Sequence, residues 1–271
     1  MIVVTGATGN IGRPLVRALA AAGERVTAVS RQAAELPDGV SHRRADLAEP
    51  ESLRPALDNA EAMFLFPGGA DPDGIVDVVE ASGVRSVVLL SSLGAATRPQ
   101  LYGQFRAYED AVAQSGLEWT VLRPGLFDSN TFLWAETVRT QRTVFAPFGD
   151  LGLPAIDPAD IGEVAAALLT AGEHVGKIYE LTGPTPITPR EQTAAISEAL
   201  AAPVRFFEQS RAQAREQMLR FMPEPIVDAS LAVLGGPSDA ETAVSPEVQR
   251  ILGRAPRSFA AWVARNIEPF R

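Results

Sequence analysis

The chain has 271 residues, 46% of them hydrophobic, and a net charge of −9 from 24 basic and 33 acidic residues. It has no cysteine, which excludes disulfides, thiol catalysis and thiolate metal sites, and its two histidines, His42 and His174, stand at no metal-ligand spacing. The acidic balance argues against binding of nucleic acid or anionic lipid, and no apolar run approaches the ~20 residues of a membrane span. We therefore expect a metal-free cytoplasmic protein, monomeric or homodimeric, that acts on a small molecule.

The start of the chain predicts a dinucleotide site. An apolar, β-branched strand pattern at residues 2–5 leads directly into three glycines spaced by three, and an amphipathic helical pattern at residues 14–22 follows. Such glycines allow a tight turn, close approach of the backbone to a pyrophosphate, and tight packing of the helix on the sheet. The N–H groups at the helix start favour an anion. The predicted cofactor contacts here are Gly6, Thr8, Gly9, Asn10, Ile11 and Gly12.

Strand and helix patterns alternate along most of the chain. Strands are predicted at residues 2–5, 25–30, 40–45, 62–67, 86–91, 119–123 and 177–181, and helices between them at 14–22, 50–57, 74–82, 106–115 and 159–170. This alternation is typical of an α/β protein with a Rossmann-type, doubly wound parallel sheet.

The pattern changes after about residue 183. Helices are predicted at residues 189–201, 210–221 and 258–267, with proline- and glycine-rich breaks between the first two and the last. We expect an NADP-binding Rossmann domain at residues 1–183. Residues 184–271 would form a small, mostly helical region for the substrate, packed on that domain and not independent of it.

The end of the second predicted strand selects the cofactor. An acidic residue there binds the ribose 2′-hydroxyl of NAD, whereas an arginine accepts the extra phosphate of NADP. This chain has Arg31 and no acidic residue from position 27 to 34. The predicted cofactor is therefore NADPH or NADP⁺.

Further crevice residues follow the other predicted strands. Asp46 and Leu47 are expected near the adenine, although Asp46 would serve equally as a helix cap. Phe66 and Pro67 are expected beside the cofactor ribose. Ser91 and Pro124 follow the fifth and sixth strands and complete the predicted cofactor contacts.

Several motifs together resemble the NmrA-like, atypical members of the short-chain dehydrogenase/reductase superfamily. They are TGATGNIG at residues 5–12, SSLGA at 91–95, Glu109 followed by SGLEWTVLRPGLF at 115–127 and by Asn130, and FAAW at 259–262. The resemblance implies a Rossmann domain that binds NADPH and a small carboxyl-terminal region that closes over a substrate cleft. The family includes quinone and isoflavone-type reductases, and also regulators that bind the dinucleotide without turning it over.

The chain differs from the wider superfamily in the motif that supplies the usual catalytic acid. Typical members use a serine together with a tyrosine and lysine spaced YxxxK, in which the lysine lowers the tyrosine pKa. Here Tyr102 is followed by Arg106 instead. Tyr102 is a candidate catalytic acid or an ordinary half-buried tyrosine. Ser91 is a candidate for polarising a carbonyl or touching the nicotinamide, or a serine that only satisfies the strand end. We expect Glu109 to pair with Arg123 and Asp110 to be solvated.

The predicted function is transfer of hydride from NADPH to a flat conjugated acceptor, such as a quinone, enone, aromatic ketone or imine. The proton would come from water or Ser91. Candidate substrate residues are Phe127, Asn130, Phe132, Phe206, Met218 and Phe221. The alternative is a non-catalytic NADP-binding redox sensor. Epimerisation or dehydration of a nucleotide sugar ranks last, because it would ordinarily need the tyrosine and lysine pair.

Overall fold

The structure, a computed structural model, describes residues 1–33 and 35–271 and confirms the predicted fold class. Its main sheet has the strand order β3-β2-β1-β4-β5-β6-β8, with every neighbouring pair parallel. The strands are β1 Ile2–Thr5, β2 Val26–Ser30, β3 Ser41–Arg44, β4 Ala62–Leu65, β5 Ser86–Leu90, β6 Glu118–Pro124 and β8 Lys177–Leu181. The order reverses between β1 and β4, which is where doubly wound sheets bind their ligands.

The helices between these strands cover both faces of the sheet. They are α1 Gly12–Ala21, α2 Arg54–Leu57, α3 Pro72–Ala81, α4 Gly94–Thr97, α5 Gly103–Gln114 and α7 Pro158–Thr170, and a 3₁₀ turn at Pro50–Leu53 precedes α2. The helix predicted at residues 106–115 begins three residues earlier, at Gly103. The single helix predicted at 50–57 is instead a 3₁₀ turn followed by one α-turn.

The chain forms two compact units, each composed of separate segments. The first contains residues 1–124, 158–181 and 247–254, and the second contains residues 125–157, 182–246 and 255–271. This division differs from the boundary predicted at residue 183, since the chain leaves the first unit after β6 and returns to it twice. The last return is α12, Glu247–Leu252. Just beyond α12, Arg254 binds Asp160 and Glu163 of α7 at 2.6 and 2.5 Å.

The core of the first unit explains why α5 takes its position. Buried residues of β4 and β5, among them Leu65 and Leu89, pack against the buried Tyr108 and Val112 of α5. The other side of the unit depends on a close helix contact. A Cβ added at Gly162 of α7 would lie 2.8 Å from the backbone nitrogen of Leu15 in α1, so only glycine allows the two helices to approach this closely.

In the second unit, the sequence patterns predicted the helices near residues 189–201, 210–221 and 258–267 but not the other elements. Its elements are a 3₁₀ helix Asp128–Trp134, α6 Ala135–Gln141, β7 Thr143–Ala146, α8 Pro189–Leu200, β9 Arg205–Glu208, α9 Arg211–Met218, α10 Glu224–Gly235, α11 Asp239–Thr242, α13 Phe259–Arg265 and a 3₁₀ turn Glu268–Phe270. The strands β7 and β9 pair in parallel. Within the described residues, no helix is long and apolar enough to cross a membrane.

Candidate active site

The turn between β1 and α1 has the compact backbone that its glycines predict. Gly6 adopts a φ of +63°, and its carbonyl accepts a hydrogen bond from the Gly9 N–H at 3.0 Å. A Cβ added at Gly12 would lie 2.2 Å from that same carbonyl oxygen and 2.7 Å from the Cα of Ala7. Because backbone atoms cannot move aside cheaply, only glycine fits at position 12 in this turn.

The start of α1 leaves backbone donors available. Ile11 is the N-cap residue and makes no side-chain capping bond. The N–H groups of Asn10, Ile11 and Gly12 donate to no acceptor within the part of the chain that the structure describes. Unpaired N–H groups at a helix start carry partial positive charge and bind anions, so this turn fits the pyrophosphate of a dinucleotide.

A hydrogen-bonded threonine ties this turn to the end of β4. The Thr5 hydroxyl donates to the carbonyl of Phe64 at 3.0 Å and accepts the N–H of Phe66 at 2.8 Å. The Phe66 side chain is 42% exposed and lies against Gly6, where an added Cβ would come within 3.2 Å of it. Phe66 and the glycine turn therefore share one surface at the carboxyl ends of the strands, as expected for neighbouring strands of a parallel sheet.

Helix α5 holds the loop that follows β4. The buried Tyr108 donates its hydroxyl to the carbonyl of Gly68, and burial raises the pKa of this phenol. Gln104 donates its amide to the carbonyl of Gly69 at 2.8 Å. Leu47 packs on the same loop, since a Cβ added at Gly68 would lie 2.9 Å from its Cδ1. Sequence reasoning placed Leu47 at the crevice but missed Gln104 and Tyr108, which only the packing of α5 reveals.

The end of β2 is cationic. Arg31 is exposed, and its guanidinium forms no ion pair within residues 1–33 and 35–271. The neighbouring Ser30 is occupied by protein contacts, with its hydroxyl 2.6 Å from the Gln32 carbonyl and 2.9 Å from Nε2 of His42. An exposed arginine without a carboxylate partner is suited to binding a phosphate.

Asp46 does not cap the helical segment that follows it. Its Oδ1 accepts the N–H of Ala48 at 3.0 Å, which closes a local turn. The residue before the 3₁₀ turn is Glu49, and it makes no side-chain capping bond. The capping role considered for Asp46 is therefore wrong, whereas its role beside the adenine stays a prediction.

A buried hydrogen-bonded group joins β5, α5 and β6. Ser91 is only 3% exposed, and its hydroxyl donates to Oε1 of Glu109 at 2.5 Å. Arg123 binds the same carboxylate in a fork, with Nε 2.9 Å from Oε1 and Nη2 2.6 Å from Oε2, and this hydrogen bonding raises the pKa of Arg123. The predicted pairing of Glu109 with Arg123 is confirmed. The expectation that the Ser91 hydroxyl lies at the crevice mouth needs correction, because the hydroxyl points to a buried carboxylate.

Tyr102 and Arg106 have separate packing partners. The half-buried ring of Tyr102 covers Gly94, where an added Cβ would lie 2.5 Å from the ring. Arg106 binds Oδ1 of Asp110 at 3.0 Å, and its Nη1 lies 3.9 Å from Oε2 of Glu109. The Asp110 side chain is 48% exposed, in keeping with the expected solvation, and it also forms this surface ion pair.

The predicted substrate residues all lie in the second unit but in different surroundings. Phe132 packs on Trp262 with ring centroids 5.0 Å apart, and Phe206 joins the same cluster. Met218 packs on a smaller cluster that contains Val227. These three side chains contribute to hydrophobic packing. The remaining candidates are the half-buried Phe127, the exposed Asn130, and Phe221, which is 55% exposed and lines a cavity of about 350 Å³.

Comparison with known proteins identifies the family. A model described as NAD(P)H-binding matches residues 6–171, from the first glycine of the turn to the end of α7. The chain belongs to this NAD(P)H-binding family. The resemblance stated from the motifs is thereby confirmed at the level of the NAD(P)H-binding family, together with the predicted class of cofactor.

Two relatives match this NAD(P)H-binding protein along its whole length. One is the (4-alkanoyl-5-oxo-2,5-dihydrofuran-3-yl)methyl phosphate reductase of Streptomyces griseus, which is 36% identical over 100% of this chain and 99% of the relative. The other is the NAD(P)H azoreductase of Xenophilus azovorans, which is 31% identical over the same shares. Both are named as reductases, which agrees with the predicted class of NAD(P)H-dependent oxidoreductase.

Solved structures share the fold. An Escherichia coli NADPH-dependent quinone oxidoreductase complexed with NADPH has a TM-score of 0.81 and 22% identity, over 99% of each chain. NmrA, described as a negative transcriptional regulator in complex with NADP, has a TM-score of 0.75 and 18% identity, over 98% of this chain and 95% of that one. At such identities the likeness establishes the architecture of the NAD(P)H-binding protein only.

Proposed function

We propose that the protein is an NADPH-dependent reductase that transfers hydride to a flat conjugated acceptor. The observation that carries the proposal is the turn before α1, where Asn10, Ile11 and Gly12 offer unpaired N–H groups to a pyrophosphate. The named substrates of its relatives support the acceptor class. An azo compound, a quinone and an oxo-dihydrofuran bearing an alkanoyl group are all conjugated acceptors.

The preference for NADPH over NADH rests on the end of β2. Arg31 is exposed and has no carboxylate partner in the described residues, and no acidic residue stands between positions 27 and 34. A guanidinium binds a phosphate through parallel N–H bonds, whereas the ribose hydroxyl of NADH would need an acceptor there.

The proposed reaction does not require a strong proton donor from the protein. Bound NADPH supplies the hydride. Negative charge then spreads over the conjugated acceptor, so the reaction needs orientation and hydrogen bonding more than a strong proton donor. This fits a chain in which Arg106 replaces the usual lysine and is bound to Asp110.

The test is an acceptor panel with purified protein. A simple quinone, a 3-acylbutenolide and an azo dye are each incubated with NADPH or NADH, and loss of reduced nicotinamide is followed by its absorbance. We expect turnover of at least one acceptor class, faster with NADPH at low cofactor concentration. Gly12→Val should abolish NADPH binding, while the matched control Gly103→Ala, whose Cβ meets open space, should bind normally.

Tight NADPH binding without turnover of any acceptor would contradict the reductase proposal and favour the alternative of a redox sensor. A second variant tests whether Tyr102 is the proton donor. Tyr102→Phe keeps the ring that packs on Gly94 and should retain most of kcat. A collapse of kcat with unchanged cofactor binding would instead make the Tyr102 phenol the proton donor.

A further inference from the structure

The residues that follow β2 are held by a side chain and not by the sheet. In the pairing of β2 with β3, the last matched residues are Ser30 and Arg44. Within residues 1–33 and 35–271, neither the N–H nor the carbonyl of Arg31 takes part in a backbone hydrogen bond. The Ser30 hydroxyl instead donates to the Gln32 carbonyl at 2.6 Å, which links the residues on either side of Arg31. This bond fixes the course of the backbone at Arg31.

The same hydroxyl determines which nitrogen of a nearby histidine donates a hydrogen bond. Nε2 of the half-buried His42 lies 2.9 Å from Oγ of Ser30. A serine hydroxyl has one proton and a carbonyl can only accept, so that proton is directed to Gln32. Nε2 of His42 must therefore carry a proton and donate it to Oγ of Ser30. Donation thus runs from His42 to Ser30 and from Ser30 to the Gln32 carbonyl.

The register of β2 and β3 explains how His42 reaches Ser30. His42 is matched with Ala28, and alternate residues of a strand share a face, so His42 and Ser30 lie on the same face of the sheet. Thr27 and Ser41 are matched on the opposite face, where their hydroxyls are 3.0 Å apart. The bond on the His42 face involves the residue next to Arg31, whereas the bond on the other face lies near the start of β2.

We propose that His42 strengthens the preference for NADPH over NADH by holding, through Ser30, the turn that presents Arg31 to the 2′-phosphate. The inference rests on the proposed NADPH-dependent function. Binding a phosphate costs an arginine side chain rotamer freedom, and a backbone that is already fixed lowers the remaining entropic cost of binding. NADH has no 2′-phosphate, so its affinity depends little on how Arg31 is held. His42 is a positioning residue, because it acts through Ser30 and need not contact the cofactor.

The experiment compares His42→Leu, His42→Gln and the matched control Ser41→Ala. Leucine fills the space without a donor, whereas the glutamine amide can replace the Nε2–H. The Ser41 hydroxyl joins the same two strands on the other face. The Kd values of NADPH and NADH are measured by nicotinamide fluorescence without any acceptor. We expect His42→Leu to raise the NADPH Kd by about 3- to 10-fold, as for one lost hydrogen bond, and the NADH Kd by less than about twofold. His42→Gln and the control should bind both cofactors like the wild type.

Combined variants test whether the effect passes through Ser30 and Arg31. Ser30→Ala should weaken NADPH binding as His42→Leu does, and the double variant should lose no more. In an Arg31→Ala background, His42→Leu should leave the NADPH Kd unchanged. An unchanged NADPH Kd in His42→Leu, equal losses for the two cofactors, no rescue by His42→Gln, or a full further loss in the Arg31→Ala background overturns the inference. A wild type that binds NADPH and NADH equally overturns it together with the NADPH preference. Absence of turnover with every acceptor overturns the reductase function alone, because the Kd values do not depend on turnover.

Discussion

Replacing Glu109 by alanine tests whether the crevice end of the sheet depends on one buried ion pair. The Glu109 side chain is 5% exposed and that of Arg123 is 11% exposed, and Ser91 also donates to the carboxylate. Removing the carboxylate leaves a buried guanidinium and a buried hydroxyl without their acceptor. Breaking such a buried pair costs about 3–5 kcal/mol in the free energy of unfolding.

The matched control is Glu118→Ala. Glu118 lies 3.6 Å from Arg85 at the start of β6, with side-chain exposures of 43% and 75%. An exposed pair of this kind contributes about 0–1 kcal/mol, and salt screens it. Both variants and the wild type are compared by urea denaturation and by thermal unfolding, each at low and high ionic strength and followed by circular dichroism.

We expect Glu109→Ala to lose much of its stability, and high salt should not remove this loss because the pair is buried. In a chain of this size, 1 kcal/mol shifts Tm by roughly 2–4 °C, so Tm should fall by roughly 6–20 °C. Glu109→Gln should lose less, because its amide oxygen still accepts from Arg123 or Ser91. If Glu109→Ala loses no more stability than Glu118→Ala, the buried group does not hold β5, α5 and β6 together as described.

Three further variants address the cofactor site. Arg31→Asp should weaken the binding of NADPH by about 10- to 100-fold, the equivalent of a lost charged hydrogen bond, and the binding of NADH far less. Equal losses of affinity for the two cofactors in fluorescence titrations would show that Arg31 does not meet the 2′-phosphate. The control is Arg17→Asp, on the exposed face of α1. Gly12→Ala should lose NADPH binding even if the protein folds, since its Cβ would lie 2.2 Å from a backbone oxygen; normal binding in calorimetry would refute this steric argument. Tyr108→Phe removes the bond to Gly68 and should raise the KM for NADPH several-fold without a matching fall in kcat; an unchanged KM would mean that the loop needs no anchor from α5.

The parallel sheet could be predicted from the sequence because its strands are short apolar runs bounded by turn residues. β1 and β8 have the predicted bounds, and most other ends differ by one or two residues. The ends that differ most follow local chemistry. β4 stops at Leu65 because the next residues, Phe66 and Pro67, turn into the crevice, and proline has no N–H for the ladder.

The second unit was harder to predict because its contacts are distant in sequence. β7 and β9 have four residues each, and their partners Val144 and Phe206 are far apart along the chain. No local pattern specifies such a pair. Pro223 and Pro225 belong to the proline-rich breaks expected before the last helix, yet they stand at the start of α10, where the missing N–H costs nothing.

The orientation of Ser91 could not be derived from sequence for a related reason. A strand at the centre of a parallel sheet is apolar on both faces, so the run before Ser91 carries no alternation that would show which side chains point to α5. The structure shows which side chains of this strand point to α5. Val87 and Leu89 pack with Tyr108 in one cluster, and Ser91 continues their side of the strand. The direction of the Ser91 hydroxyl therefore depends on packing against a helix whose position the sequence does not state.

Helix α5 is the element that connects these observations. Its residues Gln104 and Tyr108 hold the loop after β4, and Glu109 holds Ser91 and Arg123 at the ends of β5 and β6. One helix thus fixes three strand ends through side chains that need not touch a ligand. Arg106, which stands where the usual lysine is expected, takes no part in these contacts and pairs with Asp110 instead. In the proposed reductase, α5 would serve to position the crevice and not to donate a proton, which suits hydride transfer to an acceptor that delocalises the incoming charge.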